Sequence, residues 1–130
     1  MILGLKTDNP VTELYLLTPK GEIAYQDIWR SDRALSVQLH RHIDDLLHQA
    51  EITPEQLDGI VAFAGPGSFT GLRIGLSVAN AMAYALQLPI VAMRGNDWLT
   101  NGVTELKDTK PGGQVLPFYG GEANITQPRK

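Results

Sequence analysis

The residues with the clearest chemical potential are Gly65, Pro66, Gly67, Ser68, Phe69, Thr70 and Gly71. This glycine- and hydroxyl-rich run lies between a short apolar stretch at 60–63 and a longer one at 72–88. A buried strand that ends in a glycine loop and passes into a helix has two uses. The backbone N–H groups of Gly65, Gly67, Ser68 and Thr70, with the helix dipole behind them, can hold a phosphate, and Arg73 is near enough to meet an anion there. Alternatively, the glycines let the helix approach a sheet or another protein closely. The run is not a Walker loop, because no Gly-Lys-Ser/Thr follows and the phosphate-reaching lysine is missing. Gly65, Gly67 and Gly71 lack dinucleotide-fingerprint spacing, and Gly67-Ser68-Phe69 lacks the flanking pattern of a nucleophile elbow. Ser68 or Thr70 is more simply a helix N-cap.

A second pattern follows the loop. Gly71, Gly75, Ala79 and Ala83 fall four apart and form one narrow ridge of small side chains. Interior glycine costs about 1 kcal/mol relative to alanine, so a packing gain should offset it. Such a ridge lies against its own sheet or meets a partner, and a helix apolar on nearly every face leaves both open. Elsewhere, His40, Asp44 and His48 are four apart on one helical face with Glu51 nearby. They could ligate a metal, but no fourth ligand or supporting shell is evident, so a solvated flank is expected and no metal site is assigned. Arg129 and Lys130 could touch RNA, although two terminal charges are weak grounds.

The elements that must position these residues are legible from periodicity. Residues 2–6, 11–17 and 23–29 read as three strands separated by turn chemistry at Thr7-Asp8-Asn9-Pro10 and Pro19-Lys20-Gly21-Glu22, hence an antiparallel meander. Leu35, Leu39, Ile43, Leu46, Leu47 and Ala50 recur at helical spacing, and Ser31 or Asp32 can cap that helix. Thr53-Pro54-Glu55-Gln56 reads as a short capped helical turn. After the central strand, loop and helix, Pro89 stops the helix and 90–93 forms a further strand. Asn96 or Asp97 caps a weaker helix toward Lys107, 115–119 reads as a last strand, and 120–130 as an irregular tail. The order is three strands and then alternating helices and strands, so an α/β fold with a mixed sheet is expected. Residues 1–119 are expected to make one lobe.

Composition narrows the function. With 130 residues, 43% apolar and 19% charged, the chain has the makings of one globular domain. A net charge of −3 gives no basic footprint for direct nucleic-acid binding. The absence of cysteine excludes disulfides, a thiolate nucleophile and a Cys-based zinc site. No signal-type segment opens the chain. The 72–88 stretch is interrupted by Arg73, Asn80 and Gln87 and is short for a membrane span, so a soluble, cytoplasmic protein is expected.

The run GPGSFTGLRIG at 65–75 resembles the signature of the TsaB (YeaZ-type) family. Support extends to the first strand, the Lys20-Gly21-Glu22 hairpin, Ile43-Asp44-Asp45-Leu46-Leu47 and Leu88-Pro89-Ile90. The resemblance covers about 2–93 and faintly reaches 122. It implies an actin/Hsp70-type (ASKHA) lobe built on a ribonuclease-H-like unit. It also implies a non-catalytic subunit that dimerises through the two helices of this lobe with a TsaD-like protein or with itself. Together with a TsaE-like ATPase, such subunits form threonylcarbamoyladenosine in tRNA. The implied partner surface is Leu35, Leu39, Ser68, Phe69, Gly71, Leu72, Gly75, Ala79, Met82 and Ala83, with ATP and a metal belonging to the partner subunit and tRNA contacted indirectly.

Two departures from the family pattern stand out. Lys6-Thr7-Asp8 replaces a usual Asp-Thr-Ser or Asp-Thr-Ala at the end of the first strand, which weakens any metal-dependent nucleotide hydrolysis by this chain. The family's second lobe would begin near Gly120-Gly121-Glu122 and is expected to be absent here. A glycoprotease has no nucleophile–base pair, since His40, His42 and His48 share one helix away from Ser68. The expectation is therefore a scaffold subunit with no catalytic residue and no cofactor of its own. The alternative is a nucleotide- or phosphate-binding enzyme using the loop Gly65, Gly67, Ser68, Thr70 with Arg73.

Overall fold

The computed structural model describes residues 1–31 and 34–118. Strands β1 (Ile2–Lys6), β2 (Val11–Leu17) and β3 (Ile23–Arg30) form the expected antiparallel meander. Asn9 makes the first turn by accepting the Val11 N–H at 2.8 Å, and Gly21 makes the second at φ +92°. Strands β4 (Gly59–Phe63) and β5 (Ile90–Met93) add in parallel, giving the five-stranded order β3-β2-β1-β4-β5.

Helices α1 (Leu35–Gln49) and α2 (Phe69–Leu86) cover one face of the sheet, and α3 (Trp98–Leu106) covers the other. Strand alternation sorts the two cores. Leu3, Leu5, Leu14 and Leu16 meet Leu39, Ile43 and Leu46 of α1 and Leu76 and Ala79 of α2. Ile2, Tyr15 and Leu17 meet Trp98, Val103 and Leu106 of α3. β4 is buried along its whole length, which is why it reads as a continuous apolar run. β3, at the edge, turns Tyr25 and Trp29 toward the α1 side and leaves Ile28 exposed.

Three expected features take another form, the first being that Asp97 stands at the N-cap of α3 but makes no side-chain cap bond. Ser31 does not cap α1: its hydroxyl shares a buried hydrogen bond of 2.8 Å with Thr12, and the helix begins after Ala34 with no side-chain cap. Asp32 lies outside the described residues. Residues 115–118 form no strand, because their backbone groups pair elsewhere than in the sheet ladder. Val115 donates to Asn80 Oδ1 and accepts from Asn80 Nδ2, each at 2.9 Å, and the Phe118 N–H donates to the Ala64 carbonyl at 2.6 Å. Tyr119 and the 120–130 tail lie outside the described residues.

Candidate functional site

The glycine loop closes over the end of β1. The Ser68 N–H donates to the Asp8 carbonyl at 2.7 Å, and the Thr7 hydroxyl donates to the Gly71 carbonyl at 2.8 Å. Ser68 is the N-cap of α2, its hydroxyl accepting from the Gly71 N–H at 3.4 Å. A Cβ at Gly67 would collide with Asp8, and one at Gly71 would collide with the Thr7 carbonyl. Gly65 holds φ +110°, and the Phe118 carbonyl lies where its side chain would be. The glycines therefore serve close packing of the α2 start on β1. Of the amides read as a phosphate cradle, at Gly65, Gly67, Ser68 and Thr70, that of Ser68 is engaged within the chain by the Asp8 carbonyl.

The four-spaced ridge has a single resolution. Gly75, Ala79 and Ala83 are buried, together with Leu72 and Leu39. Leu39, Ala79 and Ala83 belong to the core shared with β1, β2 and β4, while Leu72 joins the core on the α3 side. Assigning these five to an outside surface is corrected: the helix is apolar on several faces, and its smallest face meets its own sheet. Met82 is half-buried against the same core.

Of the rest of the expected surface, Ser68, Gly71 and the largely buried Leu35 line one groove. A groove of about 680 Å³ is lined by Asn9, Pro10, Ser31, Leu35, Ser68, Thr70, Gly71 and Ile74, between the starts of α1 and α2 and the β1–β2 turn. Its lining is mainly apolar, and Phe69, between the lining residues Ser68 and Thr70 in the chain, is 54% exposed with the Arg73 guanidinium 5.2 Å from its ring centroid. Asn9, Pro10, Ser31 and Ile74 were not singled out by motif. Turn and cap chemistry accounts for the first three, and only the chain's return past Ser31 brings them to Ile74. Asn9, Ser31, Ser68 and Thr70 supply the polar groups of this mainly apolar groove.

The histidines are placed differently from the metal pattern. His48 bonds the backbone carbonyl of Asp44 at 2.9 Å, and His40 is exposed. His42 pairs instead with Asp27 at 2.7 Å and stacks on Trp29 with ring centroids 3.7 Å apart, fastening α1 to β3. Among the described residues, no group of three His, Cys, Asp or Glu is placed to hold a metal ion.

On the α3 face of the sheet, Lys6 Nζ lies 2.6 Å from Asp8 Oδ1 and 4.0 Å from Glu13 Oε2. Tyr15 donates to Glu13 at 2.5 Å, and burial first, then that bond to Glu13, pushes its phenol well above the usual range. A nucleotide–metal site of the ATPase type does not fit here, because an ammonium already stands against the carboxylates.

Comparison with known proteins agrees with this architecture. The family model described as TsaD, tRNA N6-adenosine threonylcarbamoyltransferase, matches residues 30–126. The tRNA threonylcarbamoyladenosine biosynthesis protein TsaB of Bacillus subtilis (strain 168) is 35% identical over 92 residues, covering 71% of this chain and 40% of that protein. The tRNA N6-adenosine threonylcarbamoyltransferase of Enterococcus faecalis is 47% identical over 49 residues, covering 38% of this chain and 14% of that protein. Among solved structures, YeaZ from Pseudomonas aeruginosa aligns with a TM-score of 0.66 at 31% identity, over 72% of this chain and 43% of that one. The chain thus spans about 40% of the length of the TsaB relative. Its mixed sheet and helix layers are those of the ASKHA-type lobe. Signature loop, strand order and matches coincide, and the chain belongs to the TsaB/YeaZ family within the wider group that the TsaD model covers.

Proposed function

We propose that this chain is a non-catalytic partner subunit in the formation of threonylcarbamoyladenosine in tRNA, acting in the cytoplasm. It pairs with a TsaD-like subunit and, when alone, with a second copy of itself. The observation that carries this reading is the family match over residues 30–126, together with relatives named for that modification. The geometry supports it: the α1–α2 groove is open and mainly apolar, and Phe69 is half-exposed beside it. Catalysis, with its ATP and metal, resides in the partner, and a TsaE-like ATPase completes the complex. The net charge of −3 suits a subunit that reaches tRNA only through its partner. The Ser68 amide, already bonded to the Asp8 carbonyl, gives no support to a phosphate-binding enzyme.

The test is reconstitution. The TsaD-like and TsaE-like proteins of the same organism, with the enzyme supplying the threonylcarbamoyl donor, are assayed for the modified nucleoside by mass spectrometry with and without this chain. Modification that requires the chain is the expected result. Equal modification without it, under conditions where the other components are limiting, would overturn the reading.

A further inference from the structure

A closely held charge, Lys6, sits at the carboxyl end of β1. Lys6 pairs in register with Glu13 across the β1–β2 ladder, and its side chain runs beside Phe63, with Nζ 4.6 Å from the ring centroid. Nζ lies 2.6 Å from Asp8 Oδ1 and 4.0 Å from Glu13 Oε2, and the three side chains are only 18%, 14% and 25% exposed. Glu13 is held a second time by the Tyr15 hydroxyl.

Two shielded carboxylates so near each other repel unless a cation lies between them. A divalent ion or an ammonium can serve, but the two differ. An ammonium on a four-carbon stem is tethered, carries one charge, and offers donors rather than ligand vacancies. The location gives this difference consequences. It is the carboxyl end of the parallel strands β1 and β4, beside loop 64–68, where open α/β sheets hold their ligands.

We propose that Lys6 is a tethered cation occupying the place a divalent metal would take between Asp8 and Glu13. By filling that place, Lys6 keeps this end of the sheet from holding a metal–phosphate group. An ordinary surface ion pair would leave metal affinity untouched by its removal. A tethered cation, once removed, leaves two oriented carboxylates and a new site for a hard cation.

The experiment is a titration of the full chain with Mn²⁺, read by paramagnetic broadening of amide signals and by thermal melting. In the unaltered protein the Asp8 and Glu13 signals are expected to stay sharp, and the melting temperature to stay constant. In Lys6→Met, which keeps an apolar stem beside Phe63, the same signals should broaden at Mn²⁺ concentrations lower by about tenfold or more, because a unit positive charge within 4 Å of the ion has gone. Adding Glu13→Gln should abolish that gain. Selective broadening at Asp8 and Glu13 in the unaltered protein overturns the proposal, as does a Lys6→Met protein with no gain, or a gain that survives Glu13→Gln. Should Lys6→Met fail to fold, Lys6→Gln is titrated in its place and judged by the same outcomes.

Discussion

The Thr7 hydroxyl stands where a side chain at Gly75 would have to be, and from there it donates to the Gly71 carbonyl at 2.8 Å. One buried hydroxyl thus joins the end of β1 to the first two turns of α2. The hydroxyl accounts for glycine at 75, while at 71 it is the Thr7 backbone carbonyl that leaves no room for a side chain.

Gly75→Ala is accordingly expected to destabilise the fold even though alanine is the better helix former. The propensity gain of about 1 kcal/mol is outweighed by overpacking of about 1–3 kcal/mol. Combining it with Thr7→Ala should recover part of the loss, because the obstructing hydroxyl has gone. Denaturant unfolding of the two single variants and the double variant measures this coupling. A Gly75→Ala protein as stable as the parent would show that the helix sits farther from β1.

Thr7 also marks the limit of what sequence patterns reveal. The strands and helices were legible because each buries a face of fixed period: β4 as an unbroken apolar run, α1 as the stripe Leu35, Leu39, Ile43, Leu46, Leu47. The direction of the small ridge on α2 was not, since Ile74, Val78 and Met82 make other faces apolar too, and periodicity does not say which face meets the sheet. Ser31 reads as a helix cap by type, yet Thr12, far away in sequence, claims its hydroxyl. Residues 115–118 have strand composition, but the partner of Val115 is the Asn80 side chain, a contact that no local pattern encodes. The groove was legible on its helix side, through Ser68 and Gly71, and hidden on its turn side.

Stability should fall in alkali through Tyr15. Burial and the bond to Glu13 raise its phenol in the folded state above the usual value of 10.0. The unfolded chain therefore ionises first, and it holds fewer protons than the native chain above that pH. The contribution is fully present below about pH 10 and is lost as pH rises, by up to about 1.4 kcal/mol per pH unit. Tyr15→Phe should flatten the difference between unfolding free energies measured at pH 9 and pH 11. An unchanged slope would mean that the phenol reaches water.

Asn80 should act as the anchor of 115–118. Its amide meets both backbone polar groups of Val115. Asn80→Ala removes both bonds and is expected to cost about 1–3 kcal/mol locally. Hydrogen exchange at the Val115 and Phe118 amides reads the effect directly, and both should quicken while amides of β1 and β4 stay protected. Uniform acceleration across the sheet would instead make the segment part of the main cooperative unit.

The partner reading centres on Phe69, which is half-exposed at the α2 side of the groove. Light scattering after gel filtration of the chain mixed with the TsaD-like subunit of the same organism tests it most directly. The account predicts a complex whose mass is the sum of the two chains. Phe69→Asp should weaken that complex by about 2 kcal/mol or more while changing the isolated chain's stability by no more than about 0.5 kcal/mol. Separate elution of the two parent proteins at micromolar concentrations, or a complex indifferent to Phe69→Asp, would contradict it.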